Sequence, residues 1–254
     1  MKLSAKPELL KILTLSAGVL GLLLRVVLYA AGTDEKGLLV TGHWASVSLW
    51  ILTALLAAGL FLLTRSIQGP EDYADAHPVS FFGGAGAVAA AVTILIVTIG
   101  DFGTEALLAT LLGFAAAASL AAIAFFRLTG RKPLFLFHVV LCGFFAMRMV
   151  SQYRFWNSDP QLMDYVFYLS AYVLLMLASY QQAAFDADLG NHRNLWYFSL
   201  LSVYLCIVSL KGSADTWLML ACGLWAFSNL TDLRIRRRRQ RPALNLEDEP
   251  QEEV

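Results

Sequence analysis

Arg25, His43 and Arg148 are the residues whose chemistry is hardest to assign to packing, because each lies within or at the edge of a long apolar run. An ionised side chain at the centre of a membrane helix costs roughly 2.5 to 3.5 kcal/mol on insertion scales, so such groups face a partner, a cavity or the interface. Two guanidiniums and an imidazole at one level would make a basic pocket, and the planar guanidinium donors suit a carboxylate or a phosphate held bidentately. Tyr153, Arg154 and Asp164 follow Arg148 closely and complete the candidate ligand-binding set. Asp101, Glu105 and Asp215 fall at the same level and are candidate ion-pair partners. Two uses therefore compete. Either the arginines snorkel or pair with those carboxylates and simply orient helices, or they open outward as an anion site.

Other chemistries find less support. His43 and His138 sit near opposite ends of their apolar runs, at depths differing by on the order of 15 Å at a helical rise of 1.5 Å per residue, so one metal or haem cannot bridge them. His77 and His192 fall in polar gaps, and HExxH, Walker and glycine-rich dinucleotide patterns are absent from the sequence. Cys142, Cys206 and Cys222 lie inside apolar runs without CxxC spacing and read as packing residues. No cofactor and no metal is expected. Carboxylates are placed at the ends of the runs rather than deep within them, which argues against a proton relay. Ser170, Ser179 and Tyr180 are hydroxyls with no evident base beside them, and Gln181 and Gln182 read as structural amides. Catalysis is thus not the expected use, and a lipid-modifying enzyme ranks third among the readings.

The elements that must position these groups are eight apolar stretches near 9–31, 38–63, 81–99, 106–126, 134–150, 164–185, 194–210 and 214–233. Roughly 20 apolar residues cross a hydrocarbon core about 30 Å thick. The chain is 58% hydrophobic and only 15% charged, against about 25% charged in soluble domains, which places it in a lipid bilayer. The predicted fold is all-α, a polytopic membrane helix bundle of about eight spans over 1–233. The first run follows Lys2, Lys6 and Lys11 in the manner of a signal peptide, but its length and Arg25 predict an uncleaved span.

Basic residues alternate between the gaps. The N-terminal segment and the gap holding Arg127, Arg131 and Lys132 are rich in them, whereas 100–105 has none. The positive-inside rule then predicts a multi-pass protein of the cell membrane with both termini cytoplasmic. Arg65 and Arg193, each alone in its gap, add weaker votes for that orientation.

Two further patterns concern packing. Leu24-Arg25-Val26-Val27 and Met147-Arg148-Met149-Val150, with the paired hairpin motifs Ile96-Val97-Thr98-Ile99 and Ile207-Val208-Ser209-Leu210, suggest a 4+4 tandem repeat. Gly83, Gly84, Gly86, Ala89, Ala90 and Ala91 in the third run, with Gly113 and Ala115 to Ala118 in the fourth, predict a tight hairpin, because close backbone approach gains dispersion contact where lipid offers no hydrophobic drive.

Beyond 233 the chain turns strongly basic at Arg234, Arg236, Arg237, Arg238, Arg239 and Arg241, then acidic through Glu247, Asp248, Glu249, Glu252 and Glu253. The basic block should attract anionic lipid at about 1 kcal/mol per residue near the surface. It lacks the aromatic interleaving of a nucleic-acid site, so no nucleic acid is expected. The tail 234–254 reads as a cytoplasmic, disordered segment whose acidic end is a candidate dock for a protein partner. The leading functional expectation is handling of a small anionic solute or lipid headgroup through the outer Arg/His pocket, as a transporter or a membrane binding subunit. The alternative is a non-catalytic scaffold or sensor in which the charges are structural and the tail does the work.

Overall fold

A computed structural model describes residues 7–32, 40, 42–67, 79–103, 106–156, 165–211 and 215–233, the side chains at 155, 156 and 232 excepted. Among these residues there are eight helices and no strand: α1 Pro7–Ala31, α2 Trp44–Thr64, α3 Phe81–Gly100, α4 Leu107–Thr129, α5 Phe135–Trp156, α6 Val166–Asp186, α7 His192–Val208 and α8 Thr216–Asp232. They follow the eight apolar runs, with two informative shifts. Helix α2 starts later than the run at 38, where His43 caps it by accepting the Ala45 N–H through Nδ1 at 3.3 Å. Helix α5 continues six residues past the run ending at 150, so Tyr153 and Arg154 belong to its last turns rather than to a loop.

Local signals account for other boundaries. The Ser80 hydroxyl accepts the Gly83 N–H at 3.2 Å at the start of α3, and the Asn191 side chain accepts the Asn194 N–H at 3.3 Å at the start of α7. Both satisfy a donor that the first turn leaves without an intrahelical partner. Helix α4 ends on Gly130, whose φ of 69° is left-handed and lets its N–H return to the Phe126 carbonyl.

Helices α3 through α8 form a closed ring in which α3 packs on α4, α4 on α5, α5 on α6, α6 on α7, α7 on α8 and α8 back on α3. Contacts between α6 and α8 reach across its interior, and the α1–α2 hairpin packs outside on α7. The first four helices do not repeat the neighbour pattern of the last four, since α6 and α7 pack closely and α2 and α3 do not.

The α3–α4 hairpin is tight, as its small residues predict. Gly83, Gly84, Gly86, Ala87, Ala90 and Ala91 are buried on α3, and Gly113, Ala116 and Ala117 on α4. The small face serves two partners, however. A Cβ on Gly113 would collide with Thr98 of α3, while one on Gly86 would collide with Ser228 of α8. Ala115 and Ala118 point outward, not into the hairpin.

The outer surface is apolar. Leu23, Ile51, Leu55, Ile96, Leu107 and Leu111 are each more than half exposed, whereas the polar side chains Tyr168, Tyr172, His138 and Ser202 are buried. Large exposed apolar faces are rare on soluble monomers and suit lipid contact. Helices α1 to α5 are long and apolar enough to cross a membrane. Helices α7 and α8, at 17 residues each, are shorter than the usual span, and α6 carries serine, tyrosine and glutamine that dilute its hydropathy.

Candidate functional site

Charge gathers at the two ends of the ring. At the end away from the start of α1 and the last turn of α8, Arg148 of α5 lies between two carboxylates. Its Nη1 donates to Asp101 Oδ2 at 2.7 Å, while Nη2 and Nε donate to Asp215 at 2.8 to 3.0 Å. Asp101 is the residue that ends α3 and Asp215 the residue just before the first turn of α8. Arg148 therefore ties three helices, and α6 joins through two hydroxyls: Tyr168 donates to Asp215 Oδ2 at 2.6 Å and Tyr172 at 3.0 Å, their own oxygens 2.9 Å apart. The amide of Gln152, one turn beyond Arg148, reaches the same oxygen at 3.4 Å.

The two acids differ in setting. The Asp215 side chain is 9% exposed and that of Asp101 is 37% exposed. With both ionised they outnumber the single guanidinium, so the cluster as a whole favours no additional anion. Beside it, a cavity of about 20 Å³ is lined by residues including Thr98, Asp101, Thr110, Met147 and Arg148. That space admits roughly one water-sized group.

Arg25 and His43 have other partners. Arg25 is 2% exposed; its Nη2 donates to the Tyr29 hydroxyl at 3.3 Å, and its guanidinium lies 5.7 Å from the Tyr29 ring and 5.5 Å from that of Phe167. Such cation–π contacts stabilise a desolvated guanidinium. His43 serves as the α2 cap, its ring tilted against Trp44 at 5.6 Å. Tyr153 and Arg154 are exposed on the last turns of α5. Asp164 and Glu105 lie outside the described residues, as do His77 and the arginines and acidic residues of 234–254. Of the candidates read from sequence, the structure thus unites Arg148, Asp101 and Asp215. Tyr168 and Tyr172 are partners that the sequence reading omitted; their four-residue spacing within an apolar run was the available signal.

A second buried pair lies at the opposite end of the α5–α6 hairpin. His138 Nδ1 and Asp186 Oδ2 are 2.6 Å apart, with both side chains wholly enclosed. The imidazole stacks on Trp225 at 6.2 Å and 21°. The buried atoms His138 Nε2 and Asp186 Oδ1 lack partners among the described residues. Asp186 is the last residue of α6, so this carboxylate stands at the end of its apolar run, yet its side chain is fully enclosed by the bundle. No group of three or more metal-ligating side chains occurs among the described residues.

The number of long apolar helices defines the class, a multi-pass helical membrane protein. Comparison with family models, with curated proteins and with solved structures finds no match to this chain.

Proposed function

We propose that this chain is a non-catalytic membrane scaffold or sensor, in which the charges inside the bundle fasten helices and the segment 234–254 docks a cytoplasmic partner. One observation carries the reading: the Arg148 guanidinium is engaged by Asp101 and Asp215, linking α3, α5 and α8. A site built to capture an anion would keep donors open and exceed its own carboxylates in charge. On this reading all eight helices cross the bilayer of a cell membrane with both termini in the cytoplasm. Lys11, Arg65, Arg127, Arg131, Lys132 and Arg193 fall at the end where α1 starts and α8 ends, which supports that orientation under the positive-inside rule. Reporter fusions at residues 1 and 254 should report one compartment. Affinity capture with the full chain, compared with a chain lacking 243–254, should lose a specific partner; identical captures would remove the docking role.

A second reading, handling of an anionic solute or lipid headgroup at the outer level, is favoured by the half-open carboxylate of Asp101 against Arg148 Nη1. An incoming carboxylate or phosphate could replace it while Asp215 stays in place. Proteoliposomes holding wild-type or Asp101→Asn protein discriminate the two: anion binding or flux enhanced by the substitution supports exchange at Arg148, and none in either supports the scaffold.

A further inference from the structure

We infer that Arg65 and Arg193 form a two-pronged phosphate site for the headgroup of an anionic phospholipid, where α2 meets α7 at the end of the bundle at which α1 starts and α8 ends. This rests on residues separate from the Arg148 cluster and stands whichever reading of that cluster holds.

The two guanidiniums come from segments far apart in sequence and converge on one ring. The Arg65 Cζ lies 4.6 Å from the Phe61 centroid and the Arg193 Cζ 4.9 Å from it, and Tyr197 meets the same ring edge-on at 5.8 Å and 74°. Phe61 is 41% exposed in the last turn of α2, Arg65 caps that helix, and Arg193 occupies the first turn of α7. Two like charges brought to one ring repel, and a cation in a first helical turn opposes the helix dipole. The fold nevertheless gives neither arginine an ion pair among the described residues.

The described carboxylates at this end are already engaged. Glu8 meets Lys11, Asp186 meets His138, and Asp188 meets Lys132. The ring attracts both guanidiniums by cation–π contact, and a guanidinium so held still has N–H donors to offer a ligand. A phosphate is the anion whose oxygens match two such donor sets at once. The position selects the source: Phe61 is an apolar, outward residue at the level where a helix leaves the hydrocarbon, and basic recesses between membrane helices at that depth suit lipid headgroups.

The test uses the full chain purified in a neutral detergent and titrated with phosphatidylglycerol, phosphatidylcholine or inorganic phosphate. Retained lipid is read by native mass spectrometry and stability by thermal unfolding. Wild type should retain phosphatidylglycerol and gain stability from it, and respond little to phosphatidylcholine. Arg65→Gln/Arg193→Gln should lose most of that retention and shift. Arg65→Lys/Arg193→Lys, which keeps both charges and guards against a folding failure, should retain less lipid than wild type because the planar fork is gone. Arg131→Gln/Lys132→Gln should behave as wild type. An arginine-dependent response to inorganic phosphate equal to that for lipid would support the clip while making free phosphate its ligand. Wild-type retention in both arginine variants, or an equal loss in the Arg131/Lys132 variant, would overturn the site.

Discussion

Arg148 Nη2 lies 2.8 Å from each carboxylate oxygen of Asp215, and Nε reaches Oδ2 at 3.0 Å, so one arginine and one aspartate separated by 67 residues lock α5 to the head of α8. Both side chains are at least nine-tenths buried. Removing one member of such a pair leaves the other charge stranded, at a cost of about 3 to 5 kcal/mol. Asp215→Ala and Arg148→Ala are expected to lower the unfolding temperature in detergent sharply. Asp101→Asn, at a side chain 37% exposed, should cost no more than about 1 kcal/mol. Equal effects at Asp101 and Asp215 would contradict the hierarchy drawn between them.

The two tyrosines supply the same carboxylate with neutral donors. A hydrogen bond to a charged group contributes about 1.5 to 3 kcal/mol, so Tyr168→Phe and Tyr172→Phe should each destabilise by that order. Because their hydroxyls also touch each other at 2.9 Å, the double variant should cost less than the two single effects added together. Strict additivity in a denaturation cycle would show that the hydroxyls act independently.

His138 and Asp186 offer a different balance, since each keeps one buried polar atom without a partner among the described residues. A pair only partly satisfied is a candidate for apolar replacement. His138→Phe alone should leave Asp186 uncompensated and destabilise the bundle strongly. Adding Asp186→Leu to that variant should recover a large share of the loss. Failure of the second substitution to restore any stability would show that the pair does more than fill the α5–α6 interface.

Packing of α3 is testable by size alone. Ala90 is fully buried between neighbours, whereas Ala118 on α4 faces outward. Ala90→Leu should cost about 1 to 3 kcal/mol through overpacking, and Ala118→Leu close to nothing. Thermal unfolding that leaves the Ala90 variant unchanged would reject the close approach of α3 to its partners.

Apolar runs, their approximate limits and the helical class were legible along the chain, because hydropathy and the length needed to cross a bilayer are local properties. Position 148 could be recognised as needing a partner, and Asp101 and Asp215 as suitable acids, from burial cost and level alone. The choice of both acids, and the addition of Tyr168 and Tyr172, came only from tertiary structure. Apolar helices carry little direction about which neighbour they meet, and the ring order of α3 to α8 decides which ends converge. The same limit hid Asp186 beside His138 and the meeting of Arg65 with Arg193 over Phe61, two arginines that in sequence read only as loop charges. Local pattern thus determined where helices form and which polar groups are costly. Packing of helices distant in sequence decided how each cost is met, because that depends on distances no single segment encodes.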